Sequence, residues 1–251
     1  MLSKSRLKYI QSLAHKKFRE ASPEFFIEGP KMVEEFMVSR PDLINEIYCL
    51  DIWAEVAKRL LSSIGPEKII PVTESELGRI SVLSTPNKVV ALVKKLNPPE
   101  ELILHNQLTL VLDNIQDPGN LGTIIRTADW FGLGQVVCSK ESVELYNPKV
   151  IQSTMGSILR VNVYYLELEE WLEKITDIPV FCTALNGKNI LEMSPLNDGL
   201  LVIGNESKGV RQTILDMATE KITIPKYGGA ESLNASVAAG IVMAQMCRRS
   251  C

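Results

Sequence analysis

Beyond residue 107 the chain repeats one pattern: a short apolar run, a polar turn carrying glycine or asparagine, then a helical stretch. The runs at 107–112 and 200–203 are almost continuously apolar instead of alternating, as strands buried on both faces must be. Further runs at 135–138, 161–166, 180–185 and 221–224, with helical or alternating segments at 120–131, 171–176, 210–218 and 234–248, extend the pattern. Strands of this kind require an α/β fold with a mostly parallel sheet covered by helices on both sides.

The first hundred residues form a separate α/β pattern. Leu7, Ile10, Leu13 and Ala14 lie on one face of a helix over 3–20, and strands are expected at 25–28, 46–50, 68–72 and 88–95. Helices at 30–37, 53–64 and 73–80 fall between those strands. The aperiodic stretch 96–101, with Pro98 and Pro99, marks a boundary, so domains are expected at 1–98 and 107–251. A chain of 251 residues with 45% hydrophobic content can build a core in each.

Composition narrows the function classes. The net charge of -3 is unlike that of a general nucleic-acid coat, yet residues 1–19 carry Lys4, Arg6, Lys8, Lys16, Lys17 and Arg19 without an acid. Such a cluster is either a solvated helix face or a surface for RNA phosphates. The five cysteines, Cys49, Cys138, Cys182, Cys247 and Cys251, are odd in number and include no CxxC pair, which points away from a disulfide framework or a zinc site. No run of eighteen apolar residues and no exported-type N-terminus is present, so a cytoplasmic protein with no membrane contact is expected.

Three segments, each just after an expected strand, are richer in Gly, Asn and charge than a buried sheet requires. In the first, running from Asp113 to Ala128, Asp117 and Pro118 suit a helix start, whereas Asn120 and Arg126 fall off the apolar stripe. Arg126 could equally pair with a surface acid. In the second, from Leu201 to Val210, Gly204 and Gly209 bracket Glu206; a tight turn would explain the same residues. In the third, from Ile224 to Gly240, Ser232 or Asn234 should cap the last helix, whose N-terminus is also suited to an anionic group. Loops at the carboxyl ends of parallel strands converge on one site. The GxGxxG spacing of nicotinamide-dependent oxidoreductases is absent, because Gly119 and Gly122 are wrongly placed.

In this order and spacing the three segments resemble the SpoU (TrmH-like) branch of the SPOUT methyltransferases over about 108–248. The run from Phe25 to Lys31 is similar to the ribosomal-protein-like substrate-binding domain attached to ribosomal-RNA members. The resemblance implies a C-terminal α/β domain with a trefoil knot over about 183–237, a homodimer, and S-adenosylmethionine as cofactor. It implies methylation of a ribose 2'-hydroxyl in structured RNA, ribosomal RNA before transfer RNA, with a noncatalytic RNA-binding or ribosome-assembly protein as the alternative. Carried over residue by residue, it assigns catalysis to Asn120, Arg126, Glu206, Ser232 and Asn234, and cofactor binding to Thr183, Leu185, Gly204, Asn205, Gly209, Ile224 and Leu233. RNA contacts fall to Lys4, Arg6, Lys16, Lys17 and Arg19. Ser207 and Lys226 depart from the family's usual Gly and apolar residue.

Overall fold

The computed structural model describes residues 2–247; expectations placed on Met1, Arg248 and Cys251 lie outside the described residues. In chain order the first elements are α1 (Lys4–Ser12), α2 (Lys16–Ala21), β1 (Glu24–Glu28), α3 (Pro30–Ser39), β2 (Ile44–Cys49), α4 (Asp51–Val56), α5 (Lys58–Leu61), β3 (Ile69–Pro71), α6 (Glu74–Ile80) and β4 (Val89–Lys94). Then come β5 (Leu108–Leu112), α7 (Pro118–Trp130), β6 (Gln135–Ser139), α8 (Pro148–Thr154), β7 (Asn162–Leu166), α9 (Leu168–Leu172), β8 (Val180–Asn189), β9 (Gly199–Ile203), α10 (Gln212–Asp216), β10 (Glu220–Thr223) and α11 (Ala235–Met246). They form two compact units, Met1–Asn97 with Tyr146–Leu159, and Pro98–Leu145 with Arg160–Cys251.

The first unit holds a mixed sheet in the order β1-β4-β2-β3, antiparallel except for the β2–β3 pair. Leu7, Ile10 and Leu13 of the amphipathic N-terminal segment pack on Phe26, Tyr48, Val90 and Leu92 of the sheet and on Leu77 and Ile80 of α6. The expected single helix over 3–20 is broken at Leu13–His15. There the Arg19 guanidinium turns inward and donates to the carbonyls of Leu13 (3.0 Å) and Ala14 (2.6 Å), satisfying backbone acceptors that the broken helix leaves open. The helix expected at 53–64 is likewise split, at Ala57. Segment 146–159, expected in the second domain, belongs to the first unit because the Tyr146 ring stacks 4.7 Å from Phe25 and its hydroxyl bonds both the N–H and the carbonyl of Leu96. Its helix, α8, is announced by Asn147 and Pro148 at the cap and first turn.

The second unit is built on a six-stranded sheet, β10-β8-β9-β5-β6-β7, in which every pairing is parallel. All residues of β5, β6 and β9 are buried, as their largely apolar runs require, and the polar Thr109 and Gln135 hydrogen-bond each other. Val111, Val137, Cys182 and Val202 project to one face, where Leu168 and Leu172 of α9 and Ile214 of α10 cover them. On the other side α7 and α11 pack on each other and against β6 and β9. Gly132, at φ 72°, ends α7 in the left-handed conformation that lets Leu133 N–H reach back to the carbonyl of Ala128 (2.9 Å). Among the described residues no helix is long and apolar enough to cross a membrane.

Leu110, fully buried in β5 between β6 and β9, tests this core. Leu110→Ala should lower unfolding stability by about 2–5 kcal/mol, read as a lower urea midpoint. A shift of a few tenths would mean that the β5 register is misplaced.

Candidate active site

The site is assembled where parallel strands end. Just past β5, Asp113 is fully buried and donates its N–H to the carbonyl of Ile203 (2.9 Å). Asn114 follows at φ 59°, a conformation asparagine tolerates better than most residues, and turns the chain out of the sheet. Asp117 then caps α7 by accepting the N–H of Asn120 (2.8 Å), with Pro118 in the first turn. That cap places the Asn120 side chain beside the strand ends.

Loop 204–210 leaves β9 next door. Its shape is set by a reciprocal backbone pair, Asn205 N–H to Gly209 O (3.1 Å) and Gly209 N–H to Asn205 O (2.9 Å). A Cβ on Gly204 would lie 2.1 Å from the Gly209 carbonyl carbon, so only glycine allows the loop to fold back this closely. Asn205 Oδ1 accepts from the N–H groups of Ser207 (2.9 Å) and Lys208 (3.2 Å), while its Nδ2 donates to the carbonyl of Asn114 (2.9 Å).

Glu206, Asn120 and Asn234 form a directed chain of hydrogen bonds. Asn120 Nδ2 donates to Glu206 Oε1 (2.5 Å), and Asn120 Oδ1 accepts from Asn234 Nδ2 (2.9 Å). Asn234 Oδ1 in turn accepts from the N–H groups of Ser236 (2.9 Å) and Val237 (3.4 Å), capping α11, and from Ser236 Oγ (2.6 Å). A carboxylate can only accept and helix N-terminal amides can only donate, so both asparagine orientations follow from the ends of the chain. One residue from each of the three sequence segments is thus joined. Arg126 and Ser232 are not: both are exposed, and neither side chain has a polar partner among the described residues. Six residues separate Arg126 from Asn120, about 9 Å along the helix axis.

Of the residues expected to hold a cofactor, Gly204, Asn205 and Gly209 lie in loop 204–210. Thr183 and Leu185 occupy an excursion of β8: its pairing with β10 jumps from Cys182 to Lys188 across Lys221 and Ile222, and residues 183–187 stand out of the ladder. Thr183 Oγ1 donates to Val202 O (3.1 Å) and Thr223 Oγ1 to Leu185 O (3.3 Å), while the Leu185 side chain is 83% exposed. Ile224 is half-buried and Leu233 is 44% exposed. Exposed apolar side chains beside loop backbone, with a glycine turn that admits no Cβ, combine the apolar surface and placed polar groups of a small-molecule site. Cys182, at the root of the excursion, is fully buried; burial, with the charge of Asp113 adding, pushes its thiol up to about 12. It stays protonated and offers no competing nucleophile.

In the first unit Lys4, Lys16 and Lys17 are exposed, with Lys16 3.7 Å from Glu20. Arg6 is committed instead to Glu46 (2.6 Å), Tyr48 and the Tyr9 ring. Arg19, 4% exposed and turned onto backbone carbonyls, serves the α1–α2 turn; the expectation of an RNA contact there is corrected by its burial. Sequence reasoning gave no role to Asp113, Asn114 or Arg211. The available signal was a carboxylate directly after the apolar run Leu110–Leu112.

If the three side chains act as one unit, removing the middle one leaves two unpartnered groups. Asn120→Ala should destabilise by about 1–3 kcal/mol. Adding Asn234→Ala should then cost less than in the parent chain, with a coupling of about 0.5 kcal/mol or more in a double-mutant cycle by urea unfolding. Strict additivity would show that the relay does not exist in solution.

The sequence model of the SpoU rRNA methylase family matches residues 107–244, and that of the MRM3-like substrate binding domain matches residues 4–91. The chain is 33% identical over 241 residues to the 23S rRNA (guanosine(2553)-2'-O)-methyltransferase RlmP of Bacillus subtilis, covering 95% of this chain and 94% of the relative. A structure from Porphyromonas gingivalis, described as an RNA methyltransferase of the TrmH family, superposes with a TM-score of 0.83 at 31% identity over 98% of both chains. An AdoMet-bound rRNA methyltransferase from Sinorhizobium meliloti does so at 0.84 and 25% identity, over 98% of this chain and 95% of that one. These matches place the chain in the SpoU rRNA methylase family.

Proposed function

We propose that this SpoU-family protein transfers a methyl group from S-adenosylmethionine to a ribose 2'-hydroxyl of ribosomal RNA. The observation that carries the reading is the Glu206–Asn120–Asn234 chain of hydrogen bonds, which joins the family's three site segments at the strand ends. Bound S-adenosylmethionine would supply an electrophilic methyl on sulfur, so the protein's own task is to hold, orient and exclude.

Loop 204–210, the 183–187 excursion and residues 224 and 233 would seat the cofactor, with backbone amides and exposed apolar side chains on the adenosine. Fixing the ribose oxygen in line with the methyl carbon can supply most of the rate. Arg126 is the free cation on α7. A guanidinium keeps its proton at any working pH and cannot serve as general base. It would instead hold the phosphate beside the target ribose through its two-pronged edge and stabilise negative charge growing on the 2'-oxygen.

Further parts of the proposal concern assembly and recognition. The protein works as a cytoplasmic homodimer with the family's knot over 183–237, and exposed Trp130 of α7 and Val237 of α11 provide apolar surface for the second copy. Lys4, Lys16 and Lys17 contact RNA phosphates, and the 2'-hydroxyl itself selects RNA over DNA.

Labelled methyl transfer to undermethylated ribosomal RNA, followed by nuclease mapping, tests the activity. Arg126→Ala should lower kcat by roughly 10²–10³. Arg126→Lys should lose most activity as well, since an ammonium lacks the fork. Near-normal turnover of Arg126→Lys would refute the phosphate grip, and cofactor binding without transfer to any RNA would favour a noncatalytic RNA-binding protein. Replacing Lys4, Lys16 and Lys17 together by Ala should weaken RNA binding and flatten its salt dependence by about 0.7–0.9 log units per lost phosphate contact. Unchanged affinity would reduce that face to scaffold.

A further inference from the structure

Loop 204–210 has both of its ends tied to one residue. Asp113 donates its backbone N–H to Ile203 O (2.9 Å), the last residue of β9, just before the loop. Its carboxylate accepts from the backbone N–H of Arg211 (2.8 Å, on Oδ2) and from Arg211 Nε (2.7 Å, on Oδ1), just after the loop. The guanidinium reaches on to Glu169 of α9, Nη1 to Oε1 at 2.9 Å. Its Nη2 is enclosed without a hydrogen bond, with Glu141 Oε2 3.9 Å away.

We propose that Arg211 is a positioning residue for S-adenosylmethionine binding, holding loop 204–210 at the height above the sheet that the cofactor requires. The inference rests on the methyl-transfer reading and goes beyond it. The Asn205–Gly209 bond pair gives the loop its internal shape but does not attach it to the sheet. Attachment depends on Asn205 to Asn114, on Asn120 to Glu206, on Val210 buried in the core beside the sheet, and on the Asp113–Arg211 ion pair, of which the last is the polar tie at the loop's C-terminal end. The Arg211 side chain does not cap α10, so helix formation does not explain it. Asp113 is fully buried, and its carboxylate needs this cation or an equivalent compensation. Arg211 therefore sits where a loop end, a buried charge and the neighbouring helix α9 meet.

Without the guanidinium the loop keeps its shape and samples positions away from the cofactor. If the competent position falls to about a tenth of the population, Kd and KM for S-adenosylmethionine rise about tenfold, whereas kcat at saturating cofactor changes by less than about twofold. The test compares the full-length protein with Arg211→Met and Arg211→Lys. S-adenosylmethionine affinity is measured by calorimetry, transfer kinetics with undermethylated ribosomal RNA, and all data are collected well below each variant's melting temperature. A tenfold weaker Kd and KM in Arg211→Met, largely recovered in Arg211→Lys, supports the proposal. A variant that melts earlier yet binds the cofactor as the parent does would make Arg211 a stabilising residue only and overturn it, as would a fall confined to kcat. Failure of the parent protein to bind S-adenosylmethionine overturns the methyl-transfer reading and this inference together, whereas parental binding with an unaffected Arg211→Met overturns this inference alone. Should Arg211→Met not fold, Asp113→Asn keeps the side-chain shape, removes the carboxylate charge and carries the same expectations.

Discussion

The side-chain amide of Asn120, held on one side by Glu206 and on the other by Asn234, is the interaction on which the site depends. An amide carries a donor and an acceptor on separate atoms, so it can give to one partner while it receives from the other. Replacing it by a carboxylate would set two acceptors against each other at Glu206, and a hydroxyl would be too short to reach both partners. Because the outer ends are a carboxylate and the amides of α11, the orientation of every group between them is settled. Three loops distant in sequence are thereby locked into one surface without a metal or a disulfide among their described residues.

This lock is possible because the sheet is wholly parallel. Parallel strands send all their C-terminal ends to one edge, so loops after β5, β9, β8 and β10, neighbours in the strand order, open on the same side. Burial of β5 and β9 on both faces makes that edge rigid, and polar residues just beyond it meet with little freedom left to lose. Asp113 is the sharpest case: a carboxylate one residue past an apolar strand is drawn into the interior and must find Arg211. Strand register thus becomes loop position, and loop position becomes the geometry available to a cofactor.

Periodicity made the strands and the two-layer covering legible, because apolar runs such as Leu108–Leu112 can be buried in few other ways. Asn120, Glu206 and Asn234 stood out as polar residues at strand ends, and the resemblance supplied their grouping. Less could be read where a side chain reaches across the fold. Arg19 looked like one more exposed cation of a basic helix, and only the break at Leu13 turns it inward. Arg6 looked equivalent to Lys4 until β2 brought Glu46 and Tyr48 beneath it. The attachment of 146–159 to the first unit depends on Tyr146 meeting Phe25 and Leu96, contacts over long sequence separation that no local pattern encodes. The Asp113–Arg211 pair, 98 positions apart, belongs to the same class.

The distribution of charge fits an acidic protein that handles RNA. Arginines that look available are largely spent: Arg6, Arg19, Arg160 and Arg211 have carboxylate or carbonyl partners within their own units. Arg126 stays exposed without a polar partner among the described residues, on the helix that also carries Asn120. An unpaired guanidinium keeps its full capacity for a phosphate and has no internal bond to break when that phosphate arrives, so binding costs only the ordering of its own side chain. Asn120 is the opposite case, hydrogen-bonded through both its amide nitrogen and its amide oxygen. One helix therefore presents a hydrogen-bonded amide at its first turn and an uncommitted cation about 9 Å further along its axis.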